Sequence, residues 1–337
     1  MTGRLTDLET TVRDLIDGKT KPLGALGQVE AIAVQIARAT GKTAPCLESC
    51  ELTIFAADHG IAAEGVSAYP QAVTRQMVLN FLHGGAAANV FANSVGASVR
   101  VVDAGVAGQP MEHPDLLPRR IAAGTQNCLL EPAMTEAQRD DAIGAGRELA
   151  ADCAADVLCF GEMGIGNTSA ATLIANKVLD LPLAGLIGRG TGLDDEGLAR
   201  KSAVLGAASE RTAPVLGAEA ALAEYGGFEI AMMAGAMLGG AHSERPILVD
   251  GFISTAAALV AVRMEPEAER NLIFAHRSAE PGHSEMLEAL KARPILDLQM
   301  RLGEGTGALL AWPVVRAASA MLTDMASFES AGVSGPA

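Results

Sequence analysis

Asp156-Val157-Leu158-Cys159-Phe160-Gly161-Glu162-Met163-Gly164-Ile165-Gly166-Asn167-Thr168-Ser169 is the stretch on which the fold turns. Asp156 to Phe160 reads as a short buried strand, apolar without alternation. Gly161 to Gly166 breaks the run with three glycines, and Asn167 opens a helical pattern that continues to residue 179. Glycine lets a backbone approach a ligand, and the unpaired N–H groups of a first helical turn point at it. A strand that ends this way makes a cradle for a phosphate or a carboxylate. The same letters also suit a glycine-rich turn capped by Asn or Thr with no ligand. No P-loop lysine follows, and Gly164-x-Gly166 lacks the third glycine of a dinucleotide fingerprint.

The alternation extends in both directions. Leu52 to Ala57 ends in Asp58-His59-Gly60, and Ser98 to Val102 ends in Asp103-Ala104-Gly105. Pro246 to Val249 ends in Asp250-Gly251, and Leu272 to Phe274 ends in Ala275-His276. Helical stretches are expected near 70–95 (broken at Gly84-Gly85), 135–152, 167–179, 194–224, 227–240, 253–262 and 281–291. Apolar strands separated by helices of this length imply a parallel α/β sheet covered on both faces. Ligands of such sheets bind beyond the carboxyl ends of the strands. Asp58, His59, Asp103, Glu162, Asp250 and His276 are therefore expected to gather at one edge. Residues 1–45 and 305–328 read as helical and are expected to pack together as a small helical domain. It would sit beside a large α/β domain of residues 46–304, with a frayed tail at 329–337.

Of 337 residues, 49% are apolar but only 3% aromatic, and 37 are glycine, so the core must be small aliphatic groups packed at close backbone distance. Forty acidic against 25 basic residues give a net charge of −15, which argues against the basic face that nucleic acid requires but leaves room for one basic pocket for a small phosphate. Cys46, Cys50, Cys128, Cys153 and Cys159 repeat no spacing and have no histidines at zinc-finger distance. Reduced thiols in a cytoplasmic compartment, and no metal, are the expectation. Arg4, Asp7, Glu9, Arg13 and Asp14 argue against a leader peptide at the start of the chain. The longest uncharged stretch, Gln76 to Val99, contains Asn80, His83, Gly84-Gly85, Asn89 and Asn93, and reads as two buried helices rather than a membrane span.

Three further motifs carry chemistry. Gly188-Arg189-Gly190-Thr191-Gly192 precedes Asp194, a helix N-cap, with Lys201 two turns on. An anion-contacting loop and a capped surface helix both fit. Val66-Ser67-Ala68-Tyr69-Pro70-Gln71 places one of only two tyrosines in a loop, where it could wall a flat heterocycle. In Arg301-Leu302-Gly303-Glu304-Gly305-Thr306-Gly307-Ala308 a carboxylate stands between glycines just before an apolar helix. The helix start favours its anion and apolar surroundings oppose it, the balance a general base needs.

Taken together, these segments resemble the nicotinate-nucleotide:dimethylbenzimidazole phosphoribosyltransferase family. Lys21-Pro22-Leu23-Gly24-Ala25-Leu26-Gly27, Ala57-Asp58-His59-Gly60-Ile61 and Asn80-Phe81-Leu82-His83-Gly84-Gly85-Ala86 join the motifs above, in order, over about residues 20–325. Ala25 and Ser169 depart slightly from the family pattern, which more often has Ser and Thr there. The resemblance implies a Rossmann-like sheet with a small helical domain, a homodimer, and no cofactor. It implies transfer of phosphoribosyl from nicotinate mononucleotide to dimethylbenzimidazole with inversion at C1′, yielding α-ribazole phosphate for cobalamin. Glu304 then corresponds to the catalytic base and Glu162 to a second acid near the ribose. Gly164, Gly166, Asn167, Thr168, Ser169 and Lys201 correspond to the nucleotide phosphate site, with Asp250 and Gly251 close by. Ser67, Tyr69, Gln76, Met163 and Leu302 are assigned to the benzimidazole. Adenine or a phenol as acceptor, and a non-catalytic nucleotide-binding module, are the alternatives; a binding module would have no need of Glu304. A dinucleotide oxidoreductase is disfavoured because no fingerprint follows the first strand.

Overall fold

The computed structural model describes residues 2–190 and 192–334. Its sheet has six strands: β1 Cys50–Ala57, β2 Ser98–Gly105, β3 Leu116–Pro118, β4 Val157–Met163, β5 Ile247–Val249 and β6 Leu272–Phe274. They lie in the order β3-β2-β1-β4-β5-β6, and every neighbouring pair is parallel. The helices are α1 Thr2–Asp17, α2 Gln28–Thr40, α3 Ala72–Leu82, α4 Ala87–Val95, α5 Glu136–Ala151, α6 Asn167–Leu179 and α7 Leu183–Leu186. After them come α8 Asp195–Glu210, α9 Ala218–Tyr225, α10 Phe228–His242, α11 Phe252–Met264, α12 Pro281–Ala289, α13 Thr306–Thr323 and α14 Phe328–Ala331.

Side chains of a strand alternate between faces, and here each face feeds its own core. Phe55, Leu158, Phe160, Ile247 and Val249 pack with α5, α6, α10 and α11 on one side. Leu52, Ile54, Val157, Cys159, Leu248 and Ile273 pack with α1, α2, α4 and α13 on the other. The small residues matter most where α5 crosses α10: a methyl group on Gly146 would collide with the backbone of Met232, and one on Gly235 with that of Ile143. This is why the chain needs so few aromatic residues.

The terminal helices come together on the second face. Val12 and Ile16 of α1, Ile36 of α2, and Trp312 and Val315 of α13 share one core with the strands. Lys19 Nζ donates to the carbonyls of Leu322 (2.9 Å) and Met325 (2.5 Å), tying the start of the chain to the far end of α13.

Four sequence expectations differ in detail. The helix expected over 194–224 is two, because Pro214 and Gly217 lie in the break and Leu216 N donates to the Lys177 carbonyl there. Asp103 lies within β2, not after it, and β4 runs on through Glu162 and Met163. The edge strand β3, three residues long, carried no readable pattern. A frayed tail is not what residues 329–331 form: they belong to α14, capped by Ser327 Oγ, which accepts from Ser330 N at 3.0 Å. Residues 335–337 of that tail lie outside the described residues.

Candidate active site

The strand order reverses at the junction of β1 and β4, because the chain first winds outward through β2 and then returns. A crevice opens beyond the carboxyl ends of the strands at such a reversal. Here it is a cavity of ≈ 650 Å³ walled by the ends of β4 and β5, the loop after β6 and the 301–304 loop.

Two carboxylates share its floor. Glu162 sits one residue from the end of β4, and Glu304 immediately before the N-cap of α13. Glu304 N donates to Glu162 Oε1 at 3.4 Å, and Asn167 Nδ2 donates to Glu162 Oε2. Gly303, Glu304 and Gly305 are all left-handed, with φ of 84°, 62° and 78°. For Glu304 that conformation is unusual and is held by its surroundings. A methyl group on Gly303 would strike Glu162 Oε1, and one on Gly161 would strike the Glu304 carbonyl. The loop therefore lies directly on the strand.

Burial raises the pKa of both acids. Glu304, 7% exposed, is pushed up to about 7 by burial and then by the charge of Asp250, while the Ala88 amide at the start of α4 opposes the rise. Glu162 is pushed up to about 8 by burial, then by Glu229 and Asp250. Glu304 Oε2 is buried and has no hydrogen-bond partner. A carboxylate with a pKa near 7 and an unfilled lone pair at a cavity wall is equipped to accept a proton.

The anion cradle stands beside them. Gly166, at φ 102°, is the N-cap of α6, and Gly164, Ile165 and Thr168 line the cavity at the start of that helix, where Asn167 N and Ser169 N turn back to the carbonyls of Gly164 (3.1 Å) and Gly166 (2.9 Å). Lys201 is fully buried, and its ammonium donates to Thr168 Oγ1 (2.9 Å) and to the Gly188 carbonyl (3.2 Å). Burial lowers its pKa to about 8, with Glu280 pulling it back up. The Gly164–Gly166 turn is braced from behind. Ile165 N donates to Thr74 Oγ1 (3.1 Å), and the buried pair His59–Glu229 (2.6 Å) packs against Gly164 and Gly166.

The structure gathers most of the expected residues. Glu162, Glu304, Gly164, Asn167, Thr168, Asp250 and Gly251 line the cavity, as do Met163, Tyr69 and Leu302. Tyr69 and Leu302 stand more than half exposed, at 53% and 56%. Five residues are not brought to the wall. Gly166 and Lys201 stand behind it, the lysine reaching Thr168 Oγ1. Ser169 is fully buried with an unpartnered Oγ, because its helical position faces the core. Gln76 is exposed on α3, and Val73 and Met77 present the cavity face of that helix instead. Ser67 Oγ accepts from Tyr69 N at 3.2 Å, so it shapes the loop that carries the tyrosine. Asn167 spends its side chain on Glu162 rather than leaving it free for a ligand.

Other contributors had no local signal. Glu229 meets His59 from 170 residues away. Ser278, Glu280 and Arg301 line the cavity, and Arg301 Nη1 donates to the Gly190 carbonyl at 2.7 Å, joining the 188–192 and 301–304 loops. Arg301 lay inside a recognised motif; Glu280 had only the Pro281 after it as a helix-start mark.

A doubly covered parallel sheet with a glycine-capped helix start and a raised-pKa carboxylate at its switch point is an arrangement that can hold an anionic substrate and accept a proton. A phosphoribosyltransferase family profile matches residues 4–333. The nicotinate-nucleotide–dimethylbenzimidazole phosphoribosyltransferase of Ralstonia nicotianae is 54% identical over 97% of this chain and 94% of its own length. The enzyme of the same name from Roseiflexus sp. is 49% identical over 95% and 92%. A crystal structure of CobT from Thermus thermophilus superposes with a TM-score of 0.94 at 46% identity, covering 98% of this chain and 100% of that one. The chain belongs to the nicotinate-nucleotide–dimethylbenzimidazole phosphoribosyltransferase family.

Proposed function

We propose that the protein transfers the 5-phosphoribosyl group of nicotinate mononucleotide to 5,6-dimethylbenzimidazole, giving α-ribazole 5′-phosphate and nicotinate for the nucleotide loop of cobalamin. The nicotinate ring is already a cation in the substrate and leaves neutral, so its departure needs no acid. The incoming benzimidazole attacks C1′ from the opposite face through one ring nitrogen, which turns the β linkage into an α linkage. The proton on its other nitrogen must be lost, and one general base suffices. What remains is the alignment of two flat rings on either side of an oxocarbenium-like ribose.

One observation carries this reading: Glu304, whose Oε2 has no hydrogen-bond partner, lines the same cavity as Gly164 and Thr168 at the start of α6. Glu304 takes the benzimidazole proton. Glu162, once ionised by the approach of a cation, stabilises positive charge on the ribose. Gly164, Gly166 and Thr168, with Lys201 behind them, hold the 5′-phosphate, and Asp250 and Gly251 border the nucleotide. Tyr69, Met163 and Leu302, joined by Val73 and Met77, supply the apolar wall for the benzimidazole.

The direct test mixes pure protein with nicotinate mononucleotide and dimethylbenzimidazole, with chelator and no added metal. A ribotide of the expected mass appearing mole for mole with nicotinate is the expected result. Nucleotide binding without product would remove the assignment. Adenine or a phenol in place of dimethylbenzimidazole then ranks acceptors.

We also propose that the protein works as a cytoplasmic homodimer. Five free cysteines suit a reducing compartment, and the exposed Leu23 and Leu26 are apolar surface for a second subunit to cover. Among the described residues, no helix is long and apolar enough to cross a membrane. Residues 1–45 with 305–328 are proposed to act as one small unit on residues 46–304, supported by the mutual packing of α1, α2 and α13. Sedimentation gives the oligomeric state.

A further inference from the structure

We infer that Asp250 is a positioning residue for the catalytic base: its carboxylate, buried under the start of α13, holds the Glu304 turn in its left-handed conformation. This deepens the proposed function and rests on Glu304 being the base.

The geometry is a helix cap supplied from a distant strand. Asp250 follows β5 and is 3% exposed. Its Oδ2 accepts from Gly305 N at 3.2 Å and its Oδ1 from Ala308 N at 2.9 Å. Gly305 is the N-cap of α13 and has no capping side chain of its own. The first amides of a helix need an acceptor, and an anion there also meets the positive end of the helix dipole. The residue directly before Gly305 is Glu304, so the carboxylate that satisfies the helix start also fixes where the base emerges. The other side of the turn is pinned by Glu162, which accepts from Glu304 N. Asp250 is itself anchored, with its N–H on Ser254 Oγ at 3.3 Å and its Oδ1 3.7 Å from His276 Nε2.

Asp250 acts on the base through charge as well. Burial raises its own pKa, while His276 and the amides of Ala308, Gly307 and Gly305 pull it back. As an anion it helps hold Glu304 at about 7. The ionisable groups around the pair are Glu162 and Cys159 of β4, Glu229 of α10, His276 after β6 and His283 of α12. Lys201, Glu280 and Arg301 stand further along the cavity wall. Glu162 and Glu304 titrate as neighbours, so the acidic limb of a rate profile belongs to the group of acids.

The experiment compares wild type with Asp250→Asn. Asparagine keeps one acceptor and loses the charge. We expect kcat to fall by about tenfold or more, since small displacements of a reacting group are amplified in rate. Nicotinate mononucleotide affinity by calorimetry should change by less than about threefold, and the acidic limb of kcat should move to lower pH by about half a unit. A wild-type kcat with an unmoved limb would overturn the inference. So would a loss of nucleotide affinity in step with kcat, which makes Asp250 a ligand. If Asp250→Asn does not fold, Asp250→Ser drops the charge without setting an amide donor against the Gly305 and Ala308 N–H groups. It should lower kcat while the melting transition and nucleotide binding survive; an unchanged kcat refutes the positioning role. If wild type itself makes no ribotide, the proposed function has failed rather than this inference.

Discussion

The main-chain N–H of Glu304 donates to Oε1 of Glu162 at 3.4 Å, so the acid at the end of β4 holds the backbone of the acid we propose as the base. The two groups thus have a structural bond as well as a shared cavity. Glu162→Gln keeps the acceptor and discards the charge. We expect kcat to drop by about tenfold to a hundredfold, with the loss in kcat rather than in nucleotide KM. The same change should stabilise the fold at high pH. A carboxyl whose folded pKa is raised to about 8 binds its proton more tightly folded than unfolded, so stability falls as pH rises from about 4.5 to 8. The glutamine variant escapes that loss. Its advantage above pH 8 is on the order of 5 kcal/mol, a rise in Tm of roughly 7 °C. Scanning calorimetry at pH 4 and pH 9 checks it: the two proteins should differ most at pH 9 and converge toward pH 4.

Glu304→Gln separates binding from chemistry. Loss of a general base lowers the rate by about a hundredfold to ten-thousandfold. Nucleotide affinity should stay within about threefold of wild type, because the carboxylate lies outside the α6 cradle. In wild type, kcat should climb with pH through about 7, since the base works only when deprotonated and burial holds it protonated below that point. Stopped turnover with intact calorimetric binding is the expected signature.

Lys201→Ala removes the ammonium bonded to the cradle. Charge-assisted hydrogen bonds contribute about 1.5–3 kcal/mol, so KM for nicotinate mononucleotide should rise by roughly tenfold to a hundredfold. KM for dimethylbenzimidazole should hardly move. In wild type the nucleotide KM should begin to rise above pH 8, where the buried ammonium loses its proton, and the alanine variant should lack that rise.

Leu302→Ala and Tyr69→Ala probe the acceptor wall. Each removes apolar surface at the cavity mouth, and the acceptor KM should rise by about threefold to tenfold with nucleotide KM unchanged. Steady-state kinetics with one substrate saturating separates the two. Equal losses for both substrates would show that these side chains shape the cavity as a whole.

The sheet was legible because covered strands are written as unbroken apolar runs, and Leu52–Ala57 and Leu272–Phe274 announce themselves that way. The cradle was legible because Gly164, Gly166 and Asn167 are neighbours in sequence and in space. Helix facing was less so: Gln76 and Met77 are adjacent, and only packing against β1 and β4 decides which meets the cavity. Thr168 and Ser169 divide for the same reason, one at the cavity and one buried, as one residue along α6 turns a side chain by about a quarter of a circle. Pairings such as His59 with Glu229, or Asp250 with Ala308, leave no local trace, because each partner would suit a loop or a helix start without the other.

The helix α13 is fastened at both extremities, by Asp250 at its first turn and by Lys19 at its last carbonyls. Pro313 interrupts its hydrogen-bond ladder between them, so each extremity depends on its own tie. Anyone rewiring this protein should therefore treat its two chain ends as part of the machinery. Trimming the first twenty residues, or splicing old ends together in a permuted version, would release the far end of that helix and open the core that Val12 and Ile16 help to fill.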